Sequence, residues 1–313
     1  MVNSFHIPVL TQEILNYLNL KKGGVYIDCT LGGGGHSKAI LENIYPQGSL
    51  IGIDQDIEAI ETAKEELKSY VDKVKLVKGN FKNLEEILSV LKIETVSGII
   101  FDLGVSFHQL KEKERGFSFK EDSHLDMRMD LTQEFNADIL INSYSEKDLA
   151  EIFEKYGEER FFRRIARLIV TERKKKAITT TKQLSDLVIR SLPRTKKRHT
   201  WRIHPATRVF QAIRIEVNQE LKALETGLNQ AIRILEDKGR ICVISYHSLE
   251  DRIVKHLFKD AEKEGKVQKN YGLKIITKKP IRPSLEEVRD NPKARSAKLR
   301  VAEKIIKVKG GKI

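Results

Sequence analysis

Short, unbroken apolar runs rich in Val and Ile, each followed by Gly, Asp or Asn, recur in the first third of this chain and again near its end. A strand with one solvated face alternates apolar and polar positions. An unbroken run is how a parallel strand reads when helices cover both of its faces. On this pattern strands are predicted from Val25 to Cys29, Ser49 to Ile53, Val74 to Val77, Gly98 to Asp102 and Arg240 to Ser245. Helical spacing lies between them, from His36 to Asn43, Ile57 to Tyr70 and Leu84 to Leu91. Strand and helix alternate, which predicts a doubly wound α/β sheet.

After Leu110 the rhythm changes. From about Ser145 to Asn218 apolar residues recur three and four apart, as in Leu149, Ile152, Phe153 and Tyr156, then Phe161, Ile165, Leu168 and Ile169. Strand-like patterning resumes only near Arg240, so an all-helical domain is expected to be inserted between two strands of the sheet. The predicted division is residues 1–111 and 219–313 for the sheet domain and 112–218 for the insertion. Late strands are expected from Leu273 to Thr277 and Lys298 to Ile305, with Pro280, Pro283 and Pro292 in the loop between them.

Composition adds location and partner class. With 40% hydrophobic and 32% charged residues among 313, the chain reads as soluble and globular. The apolar stretch from Val96 to Val105 is broken by Gly98, Asp102 and Gly104, far short of a membrane span. No basic stretch followed by an apolar one marks the N-terminus, and the two cysteines, Cys29 and Cys242, both fall in predicted strands, so a reducing cytoplasm is expected. Between Arg160 and Arg214 stand 17 Lys and Arg against only Glu172 and Asp186, in a chain whose net charge is +13. The excess charge is thus concentrated in the helical segment, which points to a polyanion and most directly to nucleic acid. Arg173, Lys174, Lys175 and Lys176, and then Arg194, Lys196, Lys197, Arg198 and Arg202 with Trp201 among them, are the candidate contacts to phosphate and base. Some of the helical arginines, such as Arg160, Arg163, Arg164 and Arg167, can instead pair with Glu154, Glu158 and Glu159.

A second signal lies upstream. The first strand ends in Asp28 and runs into Gly32-Gly-Gly34-Gly35-His36, and Asp54 follows at the end of the second strand, twenty residues beyond Gly34. Glycines between a strand and a helix allow a ligand to approach bare backbone and a helix N-terminus. A dinucleotide loop of the NAD type wants Gly or Ala where this chain has Ser37, which disfavours a nicotinamide oxidoreductase. The pattern D-x-x-x-G-x-G fits better, as used where the ligand is S-adenosylmethionine: the loop holds its methionine part and the second acid accepts both ribose hydroxyls. The plainer alternative is a flexible turn, with Asp54 as the cap of the helix starting near Ile57. Asn80-Phe81 after the third strand and Asp102-Leu-Gly104 after the fourth occupy the strand ends where further cofactor contacts are expected.

Six motifs in order resemble those of the MraW/RsmH family of bacterial small-subunit ribosomal RNA methyltransferases: His6-Ile-Pro-Val-Leu10; Asp28 to His36; Asp102-Leu-Gly-Val-Ser106 with Gln109-Leu110; Arg115-Gly-Phe-Ser118; Leu125-Asp-Met-Arg-Met-Asp130; and Ser245-Tyr-His-Ser-Leu-Glu-Asp-Arg252. The resemblance spans essentially the whole chain. It implies a Rossmann-like class I methyltransferase sheet and methyl transfer from S-adenosylmethionine to the N4 amine of a cytosine in the decoding (P-site) region of 16S rRNA. The implied partner is 16S rRNA within the small ribosomal subunit, with no membrane; a homodimer is left open. Carried over by position, Gly34, Gly35 and His36 would contact the methionine end of the cofactor, Asp54 its ribose, Phe81 its adenine surroundings, and Asp102 and Gln109 the region near the sulfonium. Where the family usually has Ser-Ser-Pro-Gln, this chain has Ser106-Phe107-His108-Gln109. Proline fixes the backbone and removes an N–H, so loop geometry beside the target base is open to difference here.

For the chemistry, Asp102 is the leading candidate to accept a proton from the N4 amine, and the alternative is that it binds only the cofactor's amino group. His108 and His247 are weaker candidates for a proton relay. Tyr246, Phe107 and Phe117 could stack on an extruded cytosine or simply pack in the core. Ser245-Tyr246-His247 lacks the G-x-S-x-G surroundings of a hydrolase. Neither H-x-x-x-H nor H-E-x-x-H occurs among the eight histidines, so no required metal is expected. Two competing functions stay open, an amino methyltransferase acting on DNA or protein and a non-catalytic RNA-binding assembly factor.

Overall fold

The computed structural model describes residues 8–193, 203–267 and 270–306. The chain divides into two compact units, one made of residues 1–104 and 221–313 and the other of Val105–Glu220.

The first unit is built on a seven-stranded sheet. Its strands are β1 (Val25–Asp28), β2 (Ser49–Asp54), β3 (Val74–Lys78), β4 (Val96–Asp102), β5 (Leu235–Ser245), β6 (Tyr271–Ile275) and β7 (Lys298–Ile306), in the spatial order β3-β2-β1-β4-β5-β7-β6. The pairs β1–β2, β2–β3, β1–β4 and β4–β5 are parallel, whereas β7 runs antiparallel to both β5 and β6. This is the class I methyltransferase arrangement.

The unbroken apolar runs follow from burial on both faces. Ile27, Ile51, Ile53, Ile99, Phe101, Ile241 and Val243 point into one core, shared with Leu224 and Leu228 of a helix spanning Glu220–Ile234 and with Val254 and Phe258 of another spanning Ser248–Val267. Their neighbours Tyr26, Leu50, Ile100, Cys242 and Ile244 point into the opposite core, with residues of α1 (Thr11–Leu18), α2 (Gly35–Ile44) and α3 (Ile57–Glu66). Adjacent strand residues alternate between the two layers, so the inner strands have few polar positions, and the exposed Lys75 and Lys78 fall on the edge strand β3.

Strand order reverses between β1 and β4, the two central strands, because the chain fills one side first (β1, β2, β3) and then crosses to the other. That switch point opens a crevice at the carboxyl ends of β1 and β4. Cys29 lies just past the end of β1 and not within it, although it is buried. The expected loop holding Pro280, Pro283 and Pro292 contains a short helix, Leu285–Asp290, and α1, Glu220–Ile234 and Ser248–Val267 are further helices that the apolar pattern left unassigned.

The second unit has its own core. Helices α6 (Ala137–Ser143), α7 (Glu146–Lys155), α8 (Phe162–Arg173), α9 (Thr181–Ser191) and α10 (Ala206–Asn218) bury Leu140, Leu149, Phe153, Ile165, Ile169, Leu184 and Ile213 together. The starts of α7 and α9 are fixed by reciprocal capping, Ser145 with Asp148 and Thr180 with Gln183. Ahead of these helices, the segment from Arg115 to Asp130 is irregular but tightly bonded. Asp126 clasps the Arg128 guanidinium at 2.7 and 2.9 Å, and the Asn218 side chain takes the Met129 N–H at 2.7 Å while donating to the Met127 carbonyl at 2.8 Å. Phe117 is part of this core, so plain packing accounts for it.

Candidate active site

The site is assembled at the carboxyl ends of β1, β2 and β4. Past β1 the chain turns through two left-handed glycines, Gly32 (φ 50°) and Gly34 (φ 83°), conformations that side chains other than glycine rarely adopt. Gly34 is the N-cap of α2 and supplies no side-chain cap of its own. The first amides of α2 therefore face the loop as donors, together with the positive end of the helix dipole.

Asp28 fastens this loop from beneath. It is buried, its Oδ2 accepts the Ser37 hydroxyl at 2.7 Å and its Oδ1 the Thr30 N–H at 3.1 Å. Burial pushes its carboxyl above the ordinary aspartate range. Both oxygens serve the loop, so Asp28 shapes the site from within.

Asp54 ends β2. Its Oδ2 accepts the Gly32 N–H at 2.8 Å and its Oδ1 the Asp56 N–H at 2.9 Å. The helix cap is Asp56, which accepts from Glu58 N–H, so the simpler reading of Asp54 as the cap of α3 does not hold. Burial raises the Asp54 carboxyl to about 6, against the lowering effect of those two amides. Each oxygen keeps a second lone pair, the chemistry needed to accept a pair of hydroxyls.

Phe81 follows β3 and stands edge-on to Phe101, with ring centres 5.4 Å apart. Its other neighbour is Gly227, where an added Cβ would come 2.7 Å from the ring. Alongside, Asn80 donates to Gln55 at 2.8 Å, tying the end of β3 to the residue after Asp54.

Asp102 ends β4 with its side chain 20% exposed. Its backbone N–H donates to the Thr30 hydroxyl at 2.6 Å, joining it to the glycine loop. The Tyr246 hydroxyl donates to Asp102 Oδ1 at 2.8 Å, and His36 Nε2 lies 3.6 Å from Oδ2, too far for a hydrogen bond. His36 is 6% exposed and neither ring nitrogen has a hydrogen-bond partner among the described residues. Buried polar atoms of this kind are normally satisfied. A buried imidazole with two open nitrogens, a glycine loop and two strand-end carboxylates suit a cationic, hydroxyl-bearing nucleotide, and the residues present fit S-adenosylmethionine.

His247 is committed elsewhere. Its N–H donates to Glu250 Oε2 at 3.2 Å and its Nδ1 accepts the Glu250 N–H at 3.3 Å, so the pair caps the helix Ser248–Val267. These bonds use its backbone N–H and Nδ1; its Nε2, the atom a proton relay would need, is buried 3.2 Å from Glu250 Oε1 with no hydrogen-bond partner among the described residues. Gln109 and His108 belong to the second unit, in α5 (Phe107–Lys111). Gln109 is buried and accepts the Ser106 N–H at 3.0 Å while its own N–H donates to the Ser106 hydroxyl, a reciprocal cap. The Phe107 side chain lies outside the described part.

Of the basic candidates, Arg173 donates to the Ile141 and Tyr144 carbonyls and so closes the end of α6. Lys175 pairs with Glu172 at 2.9 Å, whereas Lys174 and Lys176 are exposed. Arg194, Lys196, Lys197, Arg198, Trp201 and Arg202 lie outside the described residues. Arg167 reaches Glu146 on α7 at 3.4 Å, a different acid from those its sequence neighbourhood suggested. Among the described residues no group of three or more His, Cys, Asp or Glu is placed to hold a metal ion, and no helix is long and apolar enough to cross a membrane.

The profile of the MraW methylase family matches residues 3–305. The chain belongs to the MraW methylase family. Its relatives named "Ribosomal RNA small subunit methyltransferase H" include those of Sulfurihydrogenibium sp. (strain YO3AOP1), 52% identical over 301 residues, and Clostridioides difficile (strain 630), 48% identical over 309 residues. A third, from Caldicellulosiruptor saccharolyticus, is 50% identical over 309 residues, and each alignment covers 96% of this chain and 99% of the relative.

For this family member, sequence patterning missed Tyr246 as the partner of Asp102 and Thr30 as the bridge between two strand ends. Neither contact leaves a local signature, since each joins residues 144 and 72 positions apart. The Glu250 cap did leave one: an acid three residues after the helix's N-cap position is the ordinary mark of a helix start.

Proposed function

We propose that this protein transfers a methyl group from S-adenosylmethionine to the N4 amine of a cytosine in the decoding region of 16S rRNA. The observation that carries the reading is Asp102 at the switch point, whose carboxylate is partly exposed and whose backbone N–H ties it through Thr30 to the glycine loop. Near-full-length identity of about half to proteins named small-subunit rRNA methyltransferases supports the RNA substrate.

When bound, S-adenosylmethionine supplies an electrophilic methyl carbon on a sulfonium. Asp54 would hold the ribose hydroxyls, the α2 amides and His36 the methionine end, and Phe81 the border of the adenine site. Cytosine N4 is a poor nucleophile because its lone pair is delocalised into the ring. Alignment of amine and methyl carbon therefore supplies much of the rate; well-oriented reactants gain up to about 7–11 kcal/mol. Asp102 accepts an N4 hydrogen, which localises the lone pair and then removes the surplus proton. The exposed Lys174 and Lys176 contribute phosphate contacts, and the basic segment 194–202 adds to them.

The test uses labelled cofactor with purified small subunits, protein-free 16S rRNA and DNA side by side. Label in small-subunit RNA is expected, and label confined to DNA or protein would contradict the reading.

A further inference from the structure

The Tyr246–Asp102 contact has no part in cofactor binding as laid out above, yet it divides the Asp102 carboxylate into two unlike oxygens. Oδ1 is taken by the tyrosine hydroxyl at 2.8 Å. Among the described residues no hydrogen bond reaches Oδ2, which has His36 Nε2 as a neighbour at 3.6 Å.

Tyr246 is itself fixed at its other end. Its N–H donates at 2.7 Å to Oε2 of Glu250, a carboxylate only 2% exposed that also takes the His247 N–H. The tyrosine therefore spans from the start of the helix Ser248–Val267 to the end of β4. The main chain of Asp102 is held by its N–H bond to Thr30, and its carboxylate is held by the phenol.

We propose that Tyr246 is a positioning residue for methyl transfer: its hydroxyl occupies Oδ1 of Asp102 and so reserves Oδ2 as the acceptor of the proton that the target amine must lose. This rests on the assignment of Asp102 as proton acceptor made above. As the N4 lone pair forms the N–C bond, the C–S electron pair returns to sulfur and the nitrogen carries one proton in excess. Oδ2 takes that proton, leaving a neutral methylamine and a protonated Asp102, which returns the proton to water at its exposed edge. Burial, and then the neighbouring Asp102 carboxylate, push the Tyr246 phenol well above its ordinary value of 10. Tyr246 thus acts only as a donor at any pH used for assay, and cannot compete for the proton.

The decisive comparison is Tyr246→Phe, which keeps the ring and removes one oxygen. Expected are a fall in kcat of roughly ten- to a hundredfold, the range for losing a hydrogen bond to a charged group, and an acid limb of the kcat profile at higher pH than in wild type. Affinity for S-adenosylmethionine by calorimetry should stay within about threefold of wild type, because Tyr246 acts through Asp102 and not on the cofactor. In the Asp102→Asn background Y246F should add little, since both changes remove one device. A Y246F enzyme with unchanged kcat and acid limb, a full multiplicative loss in the double variant, or cofactor binding weakened more than tenfold would each overturn the proposal.

Should Y246F fail to fold, alkaline titration of tyrosine absorbance in cofactor-free wild type and D102N reads the same contact. One tyrosine is expected to ionise at lower pH in D102N, and identical curves would overturn the pairing. Failure of the underlying function reads differently: wild type that binds cofactor but methylates no small-subunit RNA removes the function while leaving the titration result standing.

Discussion

The Tyr246 hydroxyl meets Asp102 Oδ1 at 2.8 Å, joining residues 144 positions apart at the ends of two neighbouring parallel strands, β4 and β5. The insertion of an entire helical unit between those strands in sequence leaves their spatial adjacency intact. Chemistry at the end of β4 is therefore tuned from the last part of the chain.

Asp102→Asn preserves shape and the Tyr246 contact but removes the proton acceptor. A loss of about 10²- to 10⁴-fold in kcat is expected, as for removal of a general base. Single-turnover methylation of small subunits at saturating cofactor measures it.

Cofactor affinity should depend on the ionisation of Asp54. Its carboxyl is raised to about 6 by burial, and hydroxyl donors from a ribose favour the charged form. Affinity is then full above pH 6 and falls as pH drops through it, by up to tenfold per unit. The raised value has the opposite effect on the cofactor-free fold: unfolded Asp54 releases its proton near 4, so this group's contribution to stability declines as pH rises from about 4 to 6. Calorimetric titrations between pH 5 and 8 follow the first effect, and thermal melts between about pH 4 and 7 the second.

Gly34→Ala places a Cβ 3.3 Å from that of Ala63, at a backbone φ of 83°. The left-handed conformation alone costs about 1–2 kcal/mol. A melting temperature lower by a few degrees and weaker cofactor binding are expected, by scanning calorimetry and by titration.

Exposed Lys174 and Lys176 should act on RNA as charges and not as readers of sequence. Replacing both with Ala should weaken RNA binding across unrelated sequences and reduce the slope of log K against log salt by about 0.7–0.9 for each phosphate no longer neutralised. Arg173→Ala should instead lower stability, because its guanidinium closes α6.

How much of this was legible in the sequence depends on how local each signal is. Strands β1, β2 and β4 announce themselves because both faces are buried and their apolar runs are long, whereas the edge strand β3 keeps Lys75 and Lys78 exposed and is marked by Val74, Leu76 and Val77 alone. The glycine loop and Asp54 are readable because a strand end, a tight turn and a helix start are each set by a few adjacent residues. Asp56, only two residues beyond Asp54, is the actual cap of α3, and propensity at that spacing does not separate the two acids; the hydrogen bonds of Asp54 to Gly32 and Asp56 do. Arg173 looked like part of a basic cluster and is a helix-closing residue, because charge along the chain does not reveal which carbonyls a guanidinium will find. Tyr246 stands out in sequence only as an aromatic within a motif, and its pairing with Asp102 carries no signal until β4 and β5 are set side by side.

The most direct test of the central claim is the identity of the methylated nucleoside. Small subunits from cells lacking this methylation, incubated with the purified protein and isotopically labelled S-adenosylmethionine, are digested to nucleosides and resolved by mass spectrometry. Labelled N4-methylcytidine from the decoding region, absent with D102N, is the predicted result. Label on carbon 5, on a ribose or on another base would contradict it.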